Sequence, residues 1–127
     1  MAEPSTYNYP WLDEYLANKP HAVKEYKLEW ECYRYLIAGK MFAMIGGDRD
    51  GIPIVTLKCD PLEGDTLRRQ YPVDIIEGYY MNKVHWCSVY LEGKAPDGVL
   101  RHMVDSAYSL VLSSLSKKLQ RELADEN

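Results

Sequence analysis

The residues that could do chemistry are few: three cysteines, three histidines, one glycine-flanked acidic loop and a scatter of cations. Cys32, Cys59 and Cys87 are odd in number and far apart, with no CxxC pair and no Cys/His spacing suited to zinc. Each lies in a β-prone apolar stretch, which reads as a small buried hydrophobe in a reducing compartment. His85 and Cys87 share one face of a strand. Strand rise sets their Cβ atoms roughly 6–7 Å apart, too far for unstrained activation of the thiol. His21, His85 and His102 are remote in sequence, and no GxSxG accompanies them. Asp48-Arg49-Asp50 between glycines resembles a fragment of a calcium loop but lacks the remaining ligands, so a solvated hairpin tip is the better reading. Gly46-Gly47 is not followed by GK[ST], which excludes a P-loop. No metal or cofactor is implied.

The cations are more suggestive. Arg34, Lys40, Lys58, Arg68, Arg69 and Lys83 fall in or beside proposed strands and their connections, and His85 and Trp86 add a titratable ring and a stacking surface. Basic residues interleaved with aromatics can bind phosphates and bases. The competing reading is that they are ordinary surface solubilisers. Trp86 has a second reading as well: it shares a face with Val84 and would fill the core under the long C-terminal helix, leaving His85 on the more accessible face.

These residues sit in a chain of 127 residues with a formal net charge of -4, 46% apolar and 27% charged. That is one soluble globular domain, too apolar for disorder and not the composition of a strongly basic nucleic-acid module. The charge is uneven. Residues 1–18 and 122–127 carry six acids and no base, so the body holds all 15 basic residues against 13 acidic ones, a balance of +2. No uncharged apolar run nears the roughly 20 residues of a membrane span, and MAEPSTYNYP has no signal-peptide character. A cytoplasmic location without membrane partners is expected.

The elements follow from period and punctuation. Residues 10–18 suit a short amphipathic helix with Trp11, Tyr15 and Leu16 inward, stopped by Pro20. Strands are expected over 31–37, 41–45 and 52–59, joined at Gly39-Lys40 and Gly46–Gly51 as an antiparallel meander. Val55, Leu57 and Cys59 share one face of the third strand; Ile54, Thr56 and Lys58 share the other. Asp60 caps a helix that starts at Pro61 and runs to about Gln70, with Arg68 and Arg69 at its C-terminal end. Val73–Ile76 suits a short strand, and 84–91 a clear one. Pro96-Asp97-Gly98 opens the longest helix, where Leu100, Met103, Val104, Ala107, Tyr108, Val111, Leu112 and Leu115 form an apolar stripe. The fold class is α+β: an antiparallel sheet packed against helices. Residues 1–9 and 116–127 are expected at the periphery of the single domain 1–127, partly mobile, with a further helical turn or two after Ser116.

Gly39–Ala43, Val55–Lys58 and above all Asn82-Lys83-Val84-His85-Trp86-Cys87-Ser88-Val89-Tyr90-Leu91 resemble the MmcQ/YjbR family, from about Lys19 to Leu115. Asp105-Ser106-Ala107-Tyr108 extends the resemblance, with one departure: the family has Ser directly before the helix Tyr, where this chain has Ala107. The resemblance implies a small bacterial cytoplasmic protein of CyaY-like, frataxin-like fold and a double-wing DNA-binding role. Frataxin's iron-binding acidic first helix does not carry over, since only Asp13 and Glu14 stand there. Lys58, Arg68, Arg69, Lys83, His85 and Trp86 are the expected nucleic-acid contacts. The alternative is a non-catalytic protein that binds a small ligand or a protein partner on its Tyr-rich sheet face. An enzyme using His85 with Cys87 or Tyr108 is the least favoured reading.

Overall fold

The computed structural model describes residues 4–79 and 81–125. Its elements are α1 (Leu12–Ala17), β1 (Ala22–Lys27), β2 (Cys32–Ile37), β3 (Lys40–Gly47), β4 (Pro53–Lys58), α2 (Pro61–Gln70), β5 (Ile75–Glu77), β6 (Trp86–Tyr90), α3 (Asp97–Ser114) and α4 (Lys117–Asp125). Six strands form one antiparallel sheet in the order β1-β2-β3-β4-β6-β5. The α+β reading therefore holds, and β2, β3 and β4 are the expected meander.

Local chemistry accounts for most of these boundaries. The β2–β3 hairpin turns on two left-handed residues, Ala38 at φ 50° and Gly39 at φ 79°, the conformation a two-residue hairpin needs. Asp60 caps α2 by accepting from the backbone N–H groups of Leu62 at 3.1 Å and Glu63 at 3.2 Å, and Pro61 follows at the first helical position. Along α3 the stripe buries Leu100, Met103, Val104, Ala107 and Val111 against β3 and β4. Each of the four larger side chains contributes roughly 1.5–3 kcal/mol by leaving water.

Two elements depart from expectation. The first is β1, which the residue pattern did not mark as a strand. Ala22-Val23-Lys24-Glu25-Tyr26-Lys27 is half charged and has no apolar alternation. It is an edge strand, where charged side chains guard against pairing with other chains. Its charges are matched inside the fold: Glu25 lies opposite Arg34 in register and pairs with it, and Lys24 pairs with Asp13 of α1 at 2.9 Å. The second is the far end, where α4 is a separate helix whose Leu119 and Leu123 pack on the core.

The chain entering α1 is also tied down. Tyr9 is buried and donates its hydroxyl to the Ala95 carbonyl at 2.8 Å, and the Asn8 N–H bonds the Leu91 carbonyl at 3.1 Å. Residues 1–3 and 126–127 lie outside the described residues. Among the described residues no helix is long and apolar enough to cross a membrane.

The sheet has two unlike faces. The helices cover the face that carries Tyr35, Ala43, Ile45, Val55, Leu57, Cys87 and Val89. Arg34, Met44, Ile54, Thr56, Lys58, Trp86 and Ser88 point the other way by the alternation of the strands.

Candidate functional site

The six expected contact residues divide between these faces. Lys58 and Trp86 are register partners on β4 and β6, and the Lys58 ammonium lies 5.2 Å from the centre of the Trp86 ring. Trp86 is 7% exposed. It is buried, but not under the long helix. Its face is the one away from α3, and the residue that faces the helices is its neighbour Cys87. His85 stands exposed beyond the last rung of the ladder, with its carbonyl accepting the Cys59 N–H at 2.8 Å. Lys83 is exposed on the connection between β5 and β6. Arg68 and Arg69 diverge, as successive helical residues must. Arg69 points outward and pairs with Asp65 at 3.0 Å, while Arg68 turns in and donates to the Cys87 sulfur at 3.2 Å. The structure thus joins Lys58 with Trp86 and leaves the six residues without one common surface.

The face away from the helices is roofed by the connection between β5 and β6. This segment folds back over β6. The Gly78 N–H bonds the Trp86 carbonyl at 2.8 Å, and the Tyr79 N–H bonds the Ser88 hydroxyl at 2.9 Å. The Tyr79 hydroxyl accepts the Arg49 N–H at 3.0 Å, which pins the segment to the β3–β4 hairpin. Asn82 closes the return by accepting from Val84 N–H at 2.9 Å and His85 N–H at 3.3 Å. Beneath it, the Thr56 and Ser88 hydroxyls are 2.7 Å apart and buried, so each satisfies the other.

Beside this roof lies a cleft of about 530 Å³. Met81 and Ile54 form one part, Trp30, Cys32 and Met44 another, and Gly46, Gly47 and Gly51 a third, where Gly46 packs so closely that a Cβ there would come 3.0 Å from that of Cys32. Its acidic residues are Glu31 and Asp48. Asp48 is partly committed, because its Oδ1 accepts the N–H groups of Asp50 at 2.8 Å and Ile52 at 3.0 Å to hold the hairpin tip. Glu31 is held left-handed at φ 50° as the chain leaves the single 3-10 turn Leu28–Trp30. That turn presents Trp30, a large aromatic left 56% exposed at the cleft. A concave apolar site with a few polar groups is the ordinary form of a small-molecule pocket.

The thiols make a second arrangement, on the helix side. The Cys59 and Cys87 sulfurs are 3.1 Å apart, both buried and both free. They are diagonal neighbours, since Cys87 faces Leu57 across the ladder and Cys59 follows two residues later on the same face. Gly64 of α2 lies directly over them: a Cβ there would come 2.9 Å from the Cys59 sulfur and 3.1 Å from that of Cys87. The hydrogen bond from Cys59 and the Arg68 guanidinium outweigh burial and bring the Cys87 thiol down to about 7. The same contact and burial push the Cys59 thiol upward. Cys87 is buried with Cys59 and Arg68 as its partners while His85 is exposed, so the two strand neighbours do not form a dyad.

None of the cleft residues Trp30, Met44, Ile54 or Met81 stood out in the sequence as functional. The glycine-rich stretch 46–51 was the one available signal, and it reads equally as a loop.

Comparison with known proteins agrees with this architecture. The YjbR family model matches residues 17–110. The Escherichia coli (strain K12) uncharacterized protein YjbR is 30% identical over 112 residues, covering 88% of this chain and 93% of that protein. The Bacillus subtilis (strain 168) uncharacterized protein YyaQ is 36% identical over 76 residues, covering 59% of this chain and 63% of its own. A crystal structure of Deinococcus radiodurans protein DR2400, with a DUF419 domain, superposes with a TM-score of 0.80 at 28% identity, covering 89% of this chain and 85% of that one. With a match over most of its length and a relative aligned nearly end to end, the chain belongs to the YjbR family.

Proposed function

We propose that the protein is a non-catalytic binding module whose site is the cleft between Trp30, Met44, Ile54 and Met81. The observation that carries this reading is the cleft itself: about 530 Å³, apolar in its body, with Glu31 and Asp48 as its acids. Two carboxylates beside an aromatic and two methionines complement a compact ligand with a flat apolar body and a cationic end. Methionine adapts to varied shapes, which suits such a wall. The test is a thermal-shift screen of aromatic amines. A ligand of the native state raises the melting temperature. The shift should vanish in Trp30→Ala and weaken in Glu31→Gln. Shifts that persist unchanged in Trp30→Ala would sink the reading.

The DNA-binding reading stands second, on a separate observation. Arg49 and Lys83 line one open depression of about 350 Å³ with Ile76, Gly78 and Tyr79, although Glu77 lies there too. Together with exposed His85 and with Lys58 these cations would contact phosphates. Binding to duplex DNA should then fall steeply with salt and should weaken several-fold in Arg49→Ala and Lys83→Ala. Absence of binding to duplex or single strands at low salt removes this reading.

A further inference from the structure

We infer that Cys59 and Cys87 form a redox-active pair, in which a hydroperoxide oxidises Cys87 and Cys59 resolves it as an intramolecular disulfide. The geometry carries the inference. The two sulfurs are 3.1 Å apart, a contact no other pair of cysteines in the chain has, since Cys32 lies in the wall of the cleft on the other side of the sheet. The sulfurs must close by about 1 Å to reach the disulfide length of ~2.05 Å, and the diagonal placement of the two residues requires their backbones to draw together as they close. The Arg68 guanidinium donates to the Cys87 sulfur at 3.2 Å, which ties a fixed positive charge to the nucleophile by a hydrogen bond, while the same charge reaches Cys59 only through space. Gly64 supplies the room for that arrangement, because a side chain there would strike both sulfurs and the guanidinium together.

The surroundings of the pair favour the same division of roles. Arg68 stabilises the Cys87 thiolate, while Glu63 opposes it more weakly. At Cys59 the hydrogen bond with Cys87 together with burial keeps the thiol protonated, although the Arg68 charge favours its ionisation more than Asp60 opposes it. Cys87 is therefore the attacking thiolate and Cys59 the protonated resolving thiol.

The steps balance. The Cys87 thiolate attacks the distal oxygen of the hydroperoxide and the O–O bond breaks. A sulfenic acid forms on Cys87, and the departing alkoxide or hydroxide takes a proton. Cys59 then gives up its proton and attacks the Cys87 sulfur. The S–O bond breaks and water leaves. Two thiols and one hydroperoxide become one disulfide, one alcohol (or water) and one water. The thiols lose two electrons and the O–O bond gains them.

Access comes through α2. Among its residues only Gly64 and Leu67 are buried, and Leu62 is 80% exposed, so this helix is lightly held. Segments with few buried apolar side chains open locally well below the cost of global unfolding. The pair is thus shielded at rest and reached by opening of one short helix.

The experiment is peroxide titration of the reduced full-length chain, read by intact mass and peptide mapping. Hydrogen peroxide should remove two hydrogens and yield a Cys59–Cys87 cross-linked peptide that dithiothreitol reverses, with Cys32 left as a free thiol. In Cys59→Ala, Cys87 should instead accumulate as a sulfenic acid trapped by dimedone. In Arg68→Met the oxidation rate at neutral pH should fall several-fold and its pH profile should move upward, whereas Arg68→Lys should retain much of the wild-type rate. Circular dichroism before oxidation confirms that each variant is folded. Oxidation of Cys32 ahead of the pair, or an Arg68→Met variant with wild-type rate and pH profile, would overturn the inference. So would a folded wild-type chain that yields no Cys59–Cys87 peptide at any peroxide concentration.

Discussion

The two faces of the sheet are built from the same strands and do different work. The face under α1 and α3 is filled by side chains that interlock, with Phe42 edge-on to Tyr108 at 5.5 Å and Tyr35 and Leu57 wholly buried. The other face is roofed by a connection instead of a helix. Among the described residues its specific contacts include the Gly78 and Tyr79 backbone bonds, a pair of hydroxyls, and one tyrosine reaching a hairpin. Helical cover leaves no space, because the stripe of α3 interdigitates with the strands. Cover by a short connection spans only part of the sheet, and the remainder is the cleft. The difference teaches that the tight packing resides on one side of this sheet, while the other side leaves the cleft that the proposed ligand would use.

Mutations can break or sharpen that division. Phe42→Ala on the helix side should cost the most, about 3–5 kcal/mol in denaturant unfolding, since it removes a fully buried ring and leaves a cavity. Next, Gly78→Ala should cost about 2 kcal/mol, because the new Cβ would lie 2.4 Å from that of Trp86 and must push the roof off the sheet. It should also alter cleft binding, which Phe42→Ala at a temperature where it is folded should not. Thr56→Val should cost about 1 kcal/mol: it removes one of two buried hydroxyls, while Ser88 keeps the Tyr79 N–H.

A smaller effect belongs to the helix side and depends on pH. Asp105 of α3 accepts hydrogen bonds from Lys19 and from the Tyr15 hydroxyl. Burial acts to raise its carboxyl, but these bonds outweigh it and hold it below the usual value. Its folded value is thus lower than its unfolded one. The stabilisation is present above the unfolded carboxylate value of about 4 and is lost as pH falls through the folded value. The side chain is 48% exposed, so the contribution is under about 1 kcal/mol. Acid melts of Asp105→Asn should show that loss of pH dependence. Smallest of all for stability is Trp30→Ala, expected within about 0.5 kcal/mol because the ring is already half in water. If the two faces are as separate as their construction suggests, this variant loses ligand binding and almost nothing else. A large drop in its melting temperature would show that the open face is also structural.

Much of the frame was legible residue by residue. The cap at Asp60-Pro61, the stripe of α3 and the alternation in β4 and β6 are local rules, each visible within a few residues. β1 was not legible, because a charged edge strand lacks the apolar alternation by which strands are recognised. The position of Trp86 shows the limit more sharply. Alternation correctly separated Trp86 and Ser88 from Cys87 and Val89, yet gave no means of knowing which set faces the helices. His85 is exposed as expected, but because it ends beyond the ladder and not because Trp86 faces the helices. The six cations met a similar limit: composition counts them, but Arg68 turns inward to sulfur while Arg69, its neighbour, pairs with Asp65 in solvent.

By itself the chain determined its class, its main elements, the parity of its central strands and its kinship, since these depend on neighbours in sequence and on motifs such as Asn82–Leu91. Tertiary structure decided which face each parity set occupies. It also placed Cys59 3.1 Å from Cys87 across 28 residues, and it opened a cleft between a 3-10 turn, a glycine hairpin and the β5–β6 connection. Those are products of strand register and long-range packing. No local rule contains them, because each requires segments far apart in sequence to meet at a defined offset.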